Sequence, residues 1–154
     1  MSIAENVRLV RERIRGAAER CGRLEREITL IAVAKTHPAQ AVDEIVRCGV
    51  TDIGENRIQE AVKKYADVRE KAVWHMVGHL QRNKAKAALA IFSVIHSLDS
   101  LELADILDKN TQKPLDVFIE VTSVRKRQNR GFRRTKHWHF CRRCGIFRTS
   151  TVGG

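Results

Sequence analysis

The feature that most constrains this chain is a regular alternation of short apolar runs with longer amphipathic segments. The apolar runs are rich in Val and Ile, which is typical of strands buried in a parallel sheet, and the segments between them are long enough for helices. This alternation predicts βα units around a parallel sheet. We predict strands at residues 28–34, 50–53, 73–77, 93–96 and 115–121, with helices at residues 39–48, 56–71, 81–89 and 99–110.

Two helix starts are marked by capping patterns. Ser2 with Glu5 three residues later resembles a capping box, and Gly22 is a suitable stop for the helix between them. Asp99 is expected to cap a later helix, with Glu102 three residues on. In the first helix the apolar residues recur every three or four positions on one face: Ile3, Val7, Val10, Ile14, Ala17 and Cys21.

Five predicted strands are compatible with an open doubly wound sheet or with part of a barrel. A complete (β/α)8 barrel takes about 250 residues, and this chain has 154. The predicted fold class is therefore α/β, and the barrel alternative corresponds to a partial (β/α)8 TIM-type barrel of about five of the eight βα units.

The basic charge of the chain is confined to its last part. The net charge is +11, which by itself suggests nucleic acid or an anionic membrane as a partner. However, all 18 acidic residues lie at or before Glu120, and residues 122–154 hold ten Lys and Arg with no acid. Residues 1–121 carry 19 basic and 18 acidic residues, a net charge of +1. We therefore divide the chain into an α/β part at residues 1–121 and a basic tail at residues 122–154.

The sequence predicts a cytoplasmic protein that does not insert into membranes. No apolar run reaches the roughly 18 residues that a membrane span needs. The N-terminal segment lacks the basic and then apolar layout of a secretory signal. Cys21 and Cys48 are accordingly expected to be thiols.

Polar segments follow the predicted strands, which is where parallel α/β proteins place their chemistry. Lys35 stands out among these residues because it follows a mostly apolar strand. Loss of solvation at such a position favours the neutral amine, which attacks aldehydes and forms Schiff bases. The alternative is a lysine whose amine extends from the sheet end into water.

Other candidates are less distinctive. His79, after Gly78, could contact a ligand ring or phosphate, or could be an ordinary loop histidine. Asn56 could cap the following helix or hydrogen-bond a ligand hydroxyl. His75 is expected to be a packed or hydrogen-bonded strand histidine. A metal site of His75, His79 and His96 is disfavoured, because the sequence has no strong ligand spacing.

Four motifs occur in a defined order. They are Ile-Ala-Val-Ala-Lys-Thr-His-Pro at residues 31–38, Asp-Ile-Gly-Glu-Asn-Arg-Ile-Gln-Glu at residues 52–60, Trp-His-Met-Val-Gly-His-Leu-Gln-Arg-Asn-Lys at residues 74–84 and Ile-His-Ser-Leu-Asp-Ser at residues 95–100. In this order and spacing they resemble the pyridoxal phosphate homeostasis family, also called the YggS or proline synthase co-transcribed family. The resemblance covers residues 1–121.

The resemblance implies the barrel of the alanine racemase N-terminal domain, with pyridoxal phosphate (PLP) held as a Schiff base on Lys35. Asn56, His79 and Ser97 match positions that line the family's cofactor mouth. The implied function is storage or delivery of PLP, which balances vitamin B6 and amino-acid pools without catalysis, with PLP-dependent apoenzymes as partners. A racemase-like or decarboxylase-like PLP enzyme is the alternative, and it would need an acid–base partner opposite the cofactor.

The resemblance stops after residue 121, where family members continue with further strands that supply most phosphate contacts. When the tail is read one base out of frame with allowed codons, it begins Asn-Val-Ser-Glu-Glu-Lys and continues as an acidic amphipathic helix. We therefore hypothesise a one-base loss near codon 121. Residues 122–154 would then be an out-of-frame, disordered tail, and the truncation would impair PLP binding. The wobble bases of the gene test this hypothesis.

The tail also suggests a different class of function. Cys141 and Cys144 form a Cys-x-x-Cys near His137 and His139, which is a zinc-like arrangement. Arginines flanking Trp138 are compatible with nucleic-acid binding through phosphate contacts and stacking. An out-of-frame origin makes both arrangements accidental, so neither zinc nor nucleic acid is the expected ligand.

Overall fold

A computed structural model describes residues 1–120 of the chain, and the tail and its predicted zinc, nucleic-acid and out-of-frame features lie outside the described residues. The first element is helix α1 (Ile3–Arg20), which begins at the predicted capping box. The Ser2 hydroxyl accepts from the Glu5 backbone N–H, and the Glu5 carboxylate accepts from the Ser2 N–H at 2.8 Å. The cap thus satisfies backbone donors that the first helical turn leaves free.

The remaining elements alternate as predicted. The strands are β1 (Ile31–Val33), β2 (Asp52–Glu55), β3 (Val73–Met76), β4 (Val94–Leu98) and β5 (Asp116–Ile119), and the helices are α2 (Ala39–Arg47), α3 (Ile58–Asp67), α4 (Ala85–Leu89) and α5 (Leu101–Asn110). Short 3-10 turns at Glu25–Glu27 and Arg82–Lys84 precede β1 and α4.

All neighbouring strands pair in parallel, and their order in the sheet is β1-β2-β3-β4-β5. A doubly wound sheet would reverse its strand order at a switch point, and the described sheet has no such reversal. The fold is therefore α/β with a parallel sheet of five strands, and its unidirectional order is consistent with an arc of a barrel.

The hydrophobic core lies between one face of the sheet and helices α2–α5. Strand side chains such as Ile53, Trp74 and Ile95 meet helix side chains such as Val42 and Leu103 in one buried cluster. Successive residues of a strand point to opposite faces, so the residues next to these core residues lie on the other face of the sheet. That face, which the helices do not cover, is called the open face below.

The open face carries both apolar and polar side chains. Val33 is 47% exposed and Phe118 39% exposed. A Cβ added to Gly54 would meet Val33 and Val77 at 3.2 and 3.4 Å, so these three residues share the face. The prediction of a first strand at residues 28–34 that is buried on both faces is wrong in two respects. The strand is only Ile31–Val33, and one side of it is exposed.

A chain of hydrogen bonds crosses three strands on the open face. His75 Nε2 lies 3.0 Å from Asp52 Oδ1, and His75 Nδ1 lies 3.0 Å from His96 Nε2. The His96 ring stacks on Phe118 with a centroid distance of 4.6 Å. Burial, followed by the charge of His75, lowers the pKa of His96. The prediction that His75 is a hydrogen-bonded strand histidine is confirmed.

A buried ion pair ties the sheet to helix α3 on the core side. The Lys64 ammonium donates to the Glu55 carboxylate and to the Ala34 carbonyl, so one side chain links α3 to β2 and to the end of β1. Glu55 is completely buried, and within the described residues its second oxygen, Oε2, has no hydrogen-bond partner. A buried carboxylate with one bonded oxygen depends strongly on that bond.

Candidate functional site

The candidate site lies along the carboxyl edge of the sheet, meaning the row of loops that follow the strands. Val33 on β1 pairs with Gly54 on β2, and Gly54 in turn pairs with His75 on β3. Lys35 and Asn56 each stand two residues beyond the paired Val33 and Gly54. The parallel register therefore brings these two predicted site residues to neighbouring loops at one edge of the sheet.

Lys35 occupies a turn directly after β1, and its side chain is exposed. Within residues 1–120 this exposure agrees with the alternative of a lysine that extends from the sheet end into water, and not with a desolvated amine. Thr36, the next residue, has φ of +66° and is the only non-glycine residue with positive φ in the described range. Left-handed backbone at a non-glycine residue is strained, and such strain is frequent at ligand sites.

Three of the strand ends fit tightly against one another. A Cβ on Gly78 would lie 2.8 Å from the Cα of Asn56, so only glycine permits this approach of the loops after β2 and β3. The Ser97 hydroxyl donates to the Gly78 carbonyl at 2.7 Å, and Ser97 itself is buried. The structure thus places Asn56 and Ser97 on either side of Gly78, with the Ser97 hydroxyl positioning the loop that carries His79.

His79 is 37% exposed and faces an acidic residue. Its Nδ1 lies 3.5 Å from Asp99 Oδ2, and Asp99 is largely buried. The prediction that Asp99 caps helix α5 is wrong, because Ser100 is the N-cap and its hydroxyl accepts from the Leu103 N–H. Asp99 is therefore a site residue that the sequence analysis missed. Two adjacent residues with capping side chains were the signal that one of them has another role.

Two depressions open on this edge. One has a volume of about 610 Å³ and is lined by His79, Asp99 and residues of the following loop and helix start. A smaller one of about 300 Å³ is lined by both Asn56 and His79, with Lys84 on its wall. Neither Lys35 nor Ser97 lines these two depressions. Asn56 and His79 therefore line one cavity. Lys35 is connected to Asn56 by the pairing of β1 with β2, and Ser97 is connected to His79 by its hydrogen bond to the Gly78 carbonyl.

Within residues 1–120 no three His, Cys, Asp or Glu side chains are grouped so as to hold a metal ion. No helix in this range is long and apolar enough to cross a bilayer.

Individual known proteins resemble this chain, although no family model matches it. A curated pyridoxal phosphate homeostasis protein of Escherichia coli is 42% identical over 119 residues, an alignment that covers 75% of this chain and 50% of that protein. Its counterpart in Aquifex aeolicus is 41% identical over 125 residues, with 79% and 55% covered.

A solved structure agrees with these relatives. PipY of Synechococcus elongatus, determined with PLP bound, matches with a TM-score of 0.71 and 34% sequence identity, over 86% of this chain and 58% of PipY. The resemblance to the pyridoxal phosphate homeostasis family is confirmed. The chain spans about half the length of the curated homeostasis proteins that it matches.

The residues at the carboxyl edge fit what PLP requires of a protein of the homeostasis family. An aldehyde needs a primary amine that it can reach, and Lys35 is exposed beside a strained turn. A pyridine ring with a hydroxyl substituent needs amide or imidazole partners, and Asn56 and His79 share a cavity. Ser97 fits a different role, because its hydroxyl is already bonded to the backbone.

Proposed function

We propose that this chain binds PLP at the carboxyl edge of its sheet, with Lys35 forming the Schiff base. The observation that carries the proposal is the position of Lys35. Its amine is accessible, it stands at the end of β1 in register with Asn56, and it belongs to a chain 34% identical to a protein solved with PLP. PLP supplies an aldehyde carbon that condenses with a primary amine with loss of water.

The other residues would hold and orient the cofactor. Asn56 and His79 supply hydrogen-bonding side chains from the loops after β2 and β3. Asp99 lies beside Nδ1 of the His79 ring and helps to orient it. Ser97 acts as a positioning residue, because it holds the Gly78 carbonyl and with it the loop that carries His79.

We further propose that the intact fold is a (β/α)8 barrel and that the protein handles PLP in the cytoplasm without turning over a substrate. The unidirectional strand order supports the barrel. The names of the curated relatives support a role in PLP homeostasis. PLP-dependent apoenzymes are the partners that such a role implies.

Borohydride reduction tests the site directly. The purified chain is incubated with PLP and reduced, and its peptides are mapped by mass spectrometry. We expect label concentrated on Lys35, and loss of at least nine-tenths of it in Lys35→Ala, because an imine on a held lysine forms in preference to imines on free surface lysines. The mass added to the peptide that contains Lys35 is the measurement.

Lys63→Ala is the matched control, because Lys63 is an exposed lysine on α3 away from the carboxyl edge. This variant should label like the wild type. Label spread evenly over exposed lysines, or unchanged in Lys35→Ala, would contradict the proposed site.

A further inference from the structure

The 300 Å³ cavity between the ends of β2 and β3 is lined in part by Lys84, a cationic residue that is not among the proposed cofactor contacts. Its lining combines basic, amide and apolar side chains, and none of the lining residues is acidic: Asn56, Arg57, Ile58, Gln59, Met76, His79, Gln81 and Lys84. Amide and cationic donors around one small space are the groups that bind oxyanions in proteins.

The charges on the wall of this cavity are not equivalent. Arg57 is already paired with Glu60 at 3.3 Å, and His79 faces Asp99. Lys84 differs from both, because it is half-buried and its ammonium has no ion pair or hydrogen bond among residues 1–120. A partly buried ammonium without a partner is unfavourable, and an anion that enters the cavity would compensate it.

We propose that this cavity is a subsite for a compact oxyanion, a carboxylate or phosphate group of a small molecule, with Lys84 as its charged anchor. Gln59 and Gln81 also line the cavity, and their side-chain amides are hydrogen-bond donors. The start of α3 also opens here, and no side chain caps its first backbone N–H groups. These N–H groups add to the positive potential that Lys84 creates.

The cavity shares Asn56 and His79 with the proposed cofactor site, and in that respect the inference rests on the proposed function. Anion binding itself does not depend on a Schiff base at Lys35. A volume near 300 Å³ is at the lower end for small-molecule sites, which suits a single oxyanion group with a short carbon skeleton.

Equilibrium dialysis with radiolabelled inorganic phosphate, in the absence of PLP, tests the subsite. We expect one saturable phosphate per chain above a weak background from the basic tail. Lys84→Gln should weaken this binding about tenfold or more, because it removes a charge-assisted hydrogen bond while keeping a polar side chain of similar length. Lys86→Gln is the matched control, since Lys86 is exposed on α4 and does not line the cavity. It should bind phosphate within twofold of wild type.

Two further arms identify the oxyanion and its source. Competition by acetate would extend the site to carboxylates, whereas resistance to acetate would restrict it to phosphate. Phosphate binding that persists after PLP has been reduced onto Lys35 would show that the cavity binds an oxyanion other than the phosphate of the cofactor. Phosphate binding that is blocked by the reduced label would identify the oxyanion as the cofactor's own phosphate.

The inference is overturned if wild type shows no saturable phosphate, or if Lys84→Gln and Lys86→Gln bind equally well. Far-UV circular dichroism reports whether each variant has folded. Lys35→Ala separates the two proposals. Retained phosphate binding with lost borohydride label supports both, whereas phosphate binding without any specific label in wild type would leave the subsite standing and remove the cofactor site.

Discussion

Gly78 shows how closely the carboxyl edge is packed at the level of single residues. Its missing side chain is what lets the loop after β3 approach the backbone of Asn56, and its carbonyl receives the Ser97 hydroxyl. Three of the strand ends therefore depend on one residue with no side chain. A change at this position should disturb the site before it disturbs the sheet.

Gly78→Ala should destabilise the chain by about 1–3 kcal/mol, because the new methyl group overlaps the Asn56 backbone and the two loops must separate. Urea denaturation followed by far-UV circular dichroism measures the free energy of unfolding. Gly16→Ala serves as the control, because Gly16 lies inside α1 with the nearest atom 3.5 Å from an added Cβ. That change should stabilise by about 0.5–1 kcal/mol. Equal effects in both variants would show that the close approach at Gly78 is unimportant.

For single residues, the sequence predicted where most of the candidate site residues lie in the fold, but not their solvent exposure or their contacts. The rule that chemistry follows strands places Lys35, Asn56 and His79 in the loops after β1, β2 and β3, as found, whereas Ser97 lies inside β4. It left open whether Lys35 is exposed, because solvation depends on tertiary contacts and not on the strand before the lysine. The pairing of His79 with Asp99 was equally inaccessible, since it joins loops twenty residues apart.

At the level of elements, a buried lysine adds polar bonds to the apolar packing of α3 on the sheet. Lys64 is 8% exposed and bonds the Glu55 carboxylate and the Ala34 carbonyl. This arrangement fixes where α3 lies over the ends of β1 and β2. It also fixes the start of α3, which lines the cavity beside Asn56.

Lys64→Met should destabilise the chain by about 3–5 kcal/mol, because it leaves the Glu55 carboxylate buried without its cation. Arg47→Met is the matched control. The Arg47–Glu70 pair, at 3.0 Å, has an exposed cation, and its loss should cost about 0–1 kcal/mol. The difference in urea midpoint between the two variants is the measurement. A Lys64→Met variant as stable as Arg47→Met would show that the buried pair contributes no more than a surface pair.

The elements themselves were largely predictable, and the errors lie at their ends. All five strands and the helices between them were predicted from apolar periodicity. The predicted helix at residues 56–71 is in fact Ile58–Asp67, and that at residues 81–89 begins as a 3-10 turn at Arg82–Lys84. Strand β1 is shorter than its apolar run, because strand bounds require a hydrogen-bonded partner, and β2 pairs with only three of its residues.

On the scale of the whole molecule, the described sheet has two free edges and an uncovered face. Within residues 1–120, β1 and β5 each pair with one neighbour only. Val33 and Phe118 leave apolar surface exposed on the open face. Unpaired strand edges beside exposed apolar groups promote pairing with another chain.

We therefore expect the 154-residue chain to self-associate as its concentration rises, and Val33→Lys to reduce this association, because a lysine on an edge strand opposes strand pairing. Light scattering after size-exclusion chromatography measures the mass. Val62→Lys is the control, since Val62 is 46% exposed on α3 but does not belong to the sheet. A monomer at every concentration, or equal effects of the two substitutions, would contradict this expectation.

The unbroken order β1-β2-β3-β4-β5 also has a consequence for synthesis on the ribosome. Because every strand pairs with the one made just before it, no strand has to wait for a distant partner, and loop closure stays local. The sheet can lengthen one βα unit at a time while translation proceeds, with the newest strand always at its growing edge. Lys35, Asn56 and His79 therefore reach their places early, in the order in which they are translated.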